Sequence, residues 1–339
     1  MALSIGDRIR RWVVGGRLAR LDHKLRGAPA WLDPVRLNLK SYGYDLARSL
    51  APGLARVDAS GEPRPHGLGW RATTQADVES AWFAHWCHEL RIAPIYHRKI
   101  WEYAYVLQVL WEAGMLRPGL RGIGFGCGEE PLPSYLASKD LQVTVTDLDP
   151  ERSRGTGWME TGQHASTLGK VHKPELVDRE RFSRLVGLEY VDMNHIPPGL
   201  DGKHDFCWSI CAMEHLGSIE AGLAFVEGSL RTLKPGGVAV HTAEFNYLSD
   251  TVTLETGVTV LYLRRHFEAL RERLVAAGHV VGAVDYATGE GPMDRFIDLP
   301  PFPHQLGPDA GWMATGHHLK LTVQEFPSTC FGMVVRRAG

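Results

Sequence analysis

The sequence lacks any apolar run approaching the roughly 18 residues that a membrane span requires, and it does not open on a secretory signal pattern. Its five cysteines, Cys87, Cys127, Cys207, Cys211 and Cys330, include no C-x-x-C pair. That spacing argues against a metal site built from them and for free thiols in a reducing, cytoplasmic compartment. No charge of one sign dominates: 37 Lys and Arg stand against 39 Asp and Glu, a net charge of -2. The chain as a whole therefore offers nucleic acid no attractive field, and a small-molecule partner is expected instead. Internal repeats are absent as well. What remains is a chain of 339 residues, 44% hydrophobic and 22% charged. Such a chain supports one large domain, or one domain with an appendage, around a buried core.

The first 40 residues depart from this balance, with nine Lys and Arg against three Asp. Ile5, Ile9, Trp12, Val13 and Leu18 are interleaved among them, and Gly15-Gly16 interrupts the pattern. Two readings fit: a surface helix near anionic membranes or partners, and a solvated helix docked on the domain. Residues 51–70 are rich in Pro, Gly and Ala and read as loop. Thr74 with Asp77 forms a helix start, followed by the stripe Val78, Trp82, Trp86 and Leu90. Pro94 suits the first position of a second helix that Gly114 can end.

After Arg121 strands and helices alternate, the mark of a parallel α/β sheet. Strands are expected at 120–125, 141–147, 187–192, 204–210 and 237–243, with two more at 279–285 and 328–337 that no crossover helix joins. The expected fold is α/β: a Rossmann-like, doubly wound, seven-stranded, mostly parallel sheet with an antiparallel last strand and an N-terminal helical extension. The extension is placed at 1–114 and the main domain at 115–339, with inserts near 152–186 and 286–318.

The chemistry concentrates at Gly122–Pro133, GIGFGCGEEPLP. A dinucleotide turn needs G-x-G-x-x-G, and the position of its third glycine is Glu129 here. Gly124, Gly126 and Gly128 leave the turn open to a ligand, but the carboxylates of Glu129 and Glu130 repel a pyrophosphate. A nucleoside carrying positive charge suits it better. Asp147 ends the second strand, where a carboxylate accepts from ribose hydroxyls. Asp192 ends the third, where it can accept from an adenine amino group beside Met193. Any one of these aspartates alone is as readily a turn former; together they mark successive strand ends.

With these motifs the sequence resembles class I S-adenosylmethionine-dependent methyltransferases over roughly residues 115–339. GIGFGCG is similar to the family's glycine motif, TDLDP to its ribose-binding acidic motif and YVDMN to its adenine motif. HDFCWSICAMEHL and LKPGGVAVH are similar to its fourth and fifth strand segments. The resemblance implies S-adenosylmethionine as cofactor and S-adenosylhomocysteine as product. It implies contacts from Gly124, Gly126 and Gly128 to the methionine part and ribose, from Asp147 to the ribose, and from Asp192 and Met193 to the adenine. Phe125, Glu129, Leu148 and Ile210 complete the expected cofactor shell. Glu129 either faces the sulfonium or caps the helix behind it. The EPLP departure points loosely to bacterial enzymes of glycan or envelope pathways.

At the end of the fourth strand, Ser209-Ile210-Cys211-Ala212 replaces the Asn/Asp-Pro-Pro-Tyr/Phe motif of DNA-base methylation, so transfer to an oxygen of a small molecule or saccharide is expected. His215, His241 and Glu244 are the candidates for removing the acceptor's proton. The alternatives are a helix start for Glu214-His215 and a core position for His241. Tyr96, His97, Arg98, Trp101, Trp158, His164 and Asn246 are the expected acceptor-side residues, although the aromatic ones equally suit packing between helices. No metal is expected. Two competing functions share this topology, an NAD(P)-dependent oxidoreductase and a non-catalytic cofactor-binding scaffold.

Overall fold

The computed structural model describes residues 32–59, 61–149, 167–306 and 311–339. The basic N-terminal segment through residue 31, together with Trp158 and His164, lies outside the described residues. None of the described helices is long and apolar enough to cross a membrane.

Among the described residues eleven strands make one sheet: β1 (Trp70–Ala72), β2 (Arg121–Phe125), β3 (Gln142–Asp147), β4 (Val186–Tyr190), β5 (His204–Ile210), β6 (Leu233–Phe245), β7 (Val280–Val281), β8 (Val284–Asp285), β9 (Ile297–Asp298), β10 (Lys320–Val323) and β11 (Phe326–Arg336). Their order is β4-β3-β2-β5-β6-β11-β1-β8. β2 through β6 pair in parallel, and β11 runs antiparallel to β6. The fold class is the expected Rossmann-like one. The strands beyond the expected seven are short: β1, β9 and β10, and a break that divides 279–285 into β7 and β8. The chain winds outward from β2 to β4 and then returns through β5 and β6, so the crevice at the carboxyl ends of β2 and β5 is the switch point.

β5 shows why the central strands form: HDFCWSI is buried almost throughout, as a strand covered on both faces must be. One face is covered by Trp86, Trp101, Tyr105, Phe206 and Trp208. On the other, Phe331 stacks on Phe267 with ring centroids 4.4 Å apart and on Tyr286 at 5.2 Å, with Phe245 edge-on at 5.4 Å.

The residues ahead of β2 are built into this sheet. β1 pairs with β11, Arg71 opposite Gly332. The helix expected from Thr74 divides into Gln75–Val78, capped by Thr74, and Ala81–Glu89, capped by Ser80. The next helix begins at Arg98 rather than Pro94 and runs Arg98–Glu112. His97 is its cap: its Nδ1 accepts from the Lys99 N–H, and the Arg98 N–H is drawn off to the carbonyl of His318. Farther upstream, helix Leu32–Leu54 is pinned by a buried ion pair between Lys40 and Asp298, which also accepts from Tyr44 at 3.0 Å.

Truncating Phe331 to Ala removes the ring at the centre of the second aromatic cluster. The expected loss is about 3–5 kcal/mol, read as a lower urea midpoint with unchanged slope.

Candidate active site

At the switch point the chain leaves β2 through the glycine turn. A side chain on Gly124 would run into Cys127 and the Trp208 ring, so this position must be bare. Gly126 (φ 60°) and Gly128 (φ 53°) are left-handed, which glycine adopts without the usual Cβ penalty. A Cβ on Gly126 would lie 2.9 Å from Ala212 and 3.4 Å from the Met193 sulfur, so the ends of three strands close on that glycine. Asp147 fixes the turn. Its carboxylate accepts from the Gly128 N–H at 3.2 Å and from the Leu148 N–H at 2.8 Å. A carboxylate has about four lone-pair positions, so hydroxyl donors can still be accepted. Asp192 accepts from the Asn194 N–H at 2.9 Å, an Asx turn that presents Met193 toward Gly126.

The two glutamates after the turn diverge. Glu129 lies at the surface and pairs with Lys170 at 3.1 Å. Glu130 is buried and accepts from the Trp208 indole N–H at 2.5 Å. Burial pushes its carboxyl up to about 8, against the pull of that hydrogen bond and of Lys99.

Beyond the turn a buried polar cluster fills the carboxyl ends of β5 and β6. Arg98 grips Glu244 with both terminal guanidinium nitrogens, and Ser328 donates to the same carboxylate at 2.6 Å. Burial alone would raise Glu244, but Arg98 and the hydrogen bonds hold it below the usual range. One turn along the helix, Glu102 accepts from Thr242 and lies 3.2 Å from Lys99. Glu214 is fully buried with no hydrogen-bond partner for either oxygen. Burial, reinforced by the charge of Glu244, raises it to about 8.

Of the three proton acceptors expected, His215 and Glu244 stand at this end of the sheet, and His241 does not join them. Its ring lies in the core between Ser209 (Nδ1, 2.8 Å) and Ser229 (Nε2, 3.0 Å), edge-on to Phe225. Burial lowers it to about 3. With both nitrogens occupied by hydroxyls, His241 is a structural residue, and the core reading replaces the base reading. His215 Nδ1 lies 2.9 Å from the Val258 carbonyl and 3.2 Å from Thr259 Oγ1, and burial lowers the ring to about 4.

Phe125 is likewise a core residue, packed edge-on against Phe225 at 5.3 Å, so only its backbone faces the crevice. Ile210 is buried at the end of β5. Tyr96 donates to Glu79 and the Trp101 indole to Asp77, which removes both from an acceptor pocket and makes them helix packing. His97 and Arg98 stay at the site's edge, His97 with its ring 4.8 Å from that of His318. Asn246 is buried just past β6. It donates to Val252 and Thr253, while its Oδ1 has no partner. Sequence reasoning missed Glu102 and Lys99, whose helical spacing resembles a solvated face, and gave Glu214 only a helix-capping part.

No family model and no curated protein matches the chain. Solved structures do. The [4+2]-cyclase SpnF is 15% identical over 87% of this chain and 96% of its own, with a TM-score of 0.43. An S-adenosylmethionine-dependent methyltransferase from Mesorhizobium loti is 14% identical over 68% of this chain and 96% of its own, TM-score 0.40. Phosphoethanolamine N-methyltransferase 2 of Haemonchus contortus, solved with S-adenosyl-L-methionine, is 17% identical over 69% of this chain and 52% of its own, TM-score 0.40.

The raised carboxyl of Glu130 sets a pH dependence. Its neutral form is favoured on folding, so its contribution is fully present below about pH 4.3, the unfolded value, and is lost as pH rises toward about 8. Glu130→Gln keeps an acceptor for Trp208 but cannot ionise. Thermal melts should show the variant matching wild type near pH 5 and gaining several degrees over it by pH 8–9. Parallel pH profiles would refute this assignment.

Proposed function

We propose that this chain is an S-adenosylmethionine-dependent methyltransferase that acts on a hydroxyl of a small molecule or glycan precursor. One observation carries the reading: the crevice at the switch point is bare-backboned and electronegative. Gly126 and Gly128 open the turn, and Asp147 and Asp192 stand at adjacent strand ends. A pyrophosphate meets repulsion there, whereas a sulfonium nucleoside meets ribose acceptors and a favourable field. The sulfonium supplies an already activated methyl group when bound.

The chain's part in such a transfer is alignment, exclusion of water and removal of a proton. Gly126, Met193 and Ala212 shape the slot for the nucleoside, and Asp147 accepts from its ribose. His215 is the proposed base. A carbonyl can only accept, so the Nδ1 beside Val258 carries hydrogen, and the ring's lone pair is then on Nε2. Arg98 with Glu244 forms a fixed polar wall, and the unpartnered Oδ1 of Asn246 favours an acceptor with a donor group, such as a hydroxyl.

Calorimetry tests the cofactor. S-adenosylhomocysteine should bind and NAD should not, and Asp147→Ala should weaken binding more than about tenfold, the worth of one hydrogen bond to a charged group. Binding of NAD instead would establish the oxidoreductase alternative. With a panel of hydroxyl-bearing acceptors, His215→Ala should lower S-adenosylhomocysteine production by about 10²–10⁴-fold while cofactor affinity is retained. Unchanged turnover would remove His215 as the base, and cofactor binding without turnover on any acceptor would favour a scaffold.

A further inference from the structure

The cysteine spacing argued against a metal site because it includes no C-x-x-C pair. Folding brings Cys211 and Cys330 together across the junction of β5, β6 and β11, with their sulfurs 3.6 Å apart. Two zinc–sulfur bonds of about 2.3 Å at a tetrahedral angle place their sulfurs roughly 3.8 Å apart. A disulfide needs about 2.05 Å, so the observed separation suits a shared cation without rearrangement.

Carboxylates complete the arrangement. Donor atoms of Glu102, Cys211 and Cys330 all lie within 4.8 Å of one another, and so do those of Cys211, Glu214 and Glu244. Cys211 belongs to both groups, whereas Glu214 does not join Glu102 and Cys330 within that distance. Glu244 is already satisfied by Arg98 and Ser328. Glu102 has one oxygen on Thr242 and the other, Oε1, without a hydrogen bond, although Lys99 is 3.2 Å away. Glu214 has two buried oxygens and no hydrogen-bond partner for either. A buried carboxyl left in this state costs free energy that a ligand would recover. The local cations do not supply the partner, since Arg98 is committed to Glu244 and Lys99 to Glu102.

We propose that Cys211, Cys330 and Glu102 bind one thiophilic divalent cation of the Zn²⁺ class, with Glu214 standing on the Cys211 side as a neighbouring carboxyl. Paired thiols select such a metal over Mg²⁺ or Ca²⁺, which take oxygen ligands. Binding expels the thiol protons and charges the two sulfurs, and the cation compensates them together with the carboxylate of Glu102. This site stands independently of methyl transfer, because none of its three ligands is assigned to the cofactor or to the proposed base.

The test uses the full chain, untagged, reduced and stripped of metal. Titration with Co²⁺ should saturate at one ion per chain and give a sulfur-to-cobalt charge-transfer band that Zn²⁺ abolishes. Cys211→Ser and Cys330→Ser should each diminish that band, and Cys87→Ser, which alters a buried thiol outside the cluster, should not. Glu102→Gln should weaken Zn²⁺ affinity by about ten- to a hundredfold, at least the loss seen for outer-shell partners, in a competition assay with a chromogenic chelator. Wild-type protein that is folded by circular dichroism yet binds no stoichiometric Co²⁺ overturns the proposal without reliance on any variant. So does binding without the sulfur band, or a Cys211–Cys330 disulfide in protein kept under reducing conditions.

Discussion

The clasp between Arg98 and Glu244 is the constraint on which the candidate site depends. Two charges taken out of water cost several kcal/mol each, and only a two-pronged guanidinium contact with further hydrogen bonds recovers that. The fork therefore fixes the start of helix Arg98–Glu112 against β6, and Ser328 ties β11 to the same carboxylate. The match repeats one step along. Arg98 and Glu102 are four residues apart on a helix, about 6 Å of rise, and their partners Glu244 and Thr242 are two apart on a strand, about 6.7 Å. The helix and strand thus mesh at two successive points, with every polar group of the contact on one face of the sheet. His97, which caps the helix, and His318, whose carbonyl takes the Arg98 amide, complete the junction.

Much of this architecture is written in local sequence. β2, β3 and β5 follow from short β-branched or apolar runs bounded by turn residues, and the glycine turn falls where a ligand must approach backbone. Asp147 and Asp192 follow from their places at strand ends. β1 and β9 are different: three and two residues leave no periodicity to read, and they become strands only because β11 and β10 offer them partners. Pro94 is a sound helix start on local grounds, yet the bridge between His97 and His318 delays the helix by four residues.

The fate of His241 was within reach of the sequence. Residues three apart on a strand point to opposite faces, so His241 and Glu244 could not serve one site unless the strand bulged between them. β6 has no bulge there, its register to β11 running unbroken from Val238 to Phe245. The meeting of Cys211 with Cys330 was out of reach. It depends on the register of an antiparallel strand that joins the sheet long after β5, which no spacing rule encodes. The same holds for Glu102, whose hydrogen-bond donor Thr242 comes from β6.

β11 has a consequence for how the sheet is assembled. It is last in sequence but interior in space, lying between β6 and β1, where Arg71 meets Gly332. Until it arrives, β6 presents a long, almost wholly buried-type edge, Val238 to Phe245, with unpaired amides of the kind that recruits other chains. Over the same interval β1 has only the two-residue β8 to pair with, so the segment carrying Arg98 cannot settle early although the ribosome delivers it before β11. Contacts of such sequence separation form slowly. The order of synthesis and the order of closure run in opposite directions in this protein, and the polar junction is sealed by the strand that comes last.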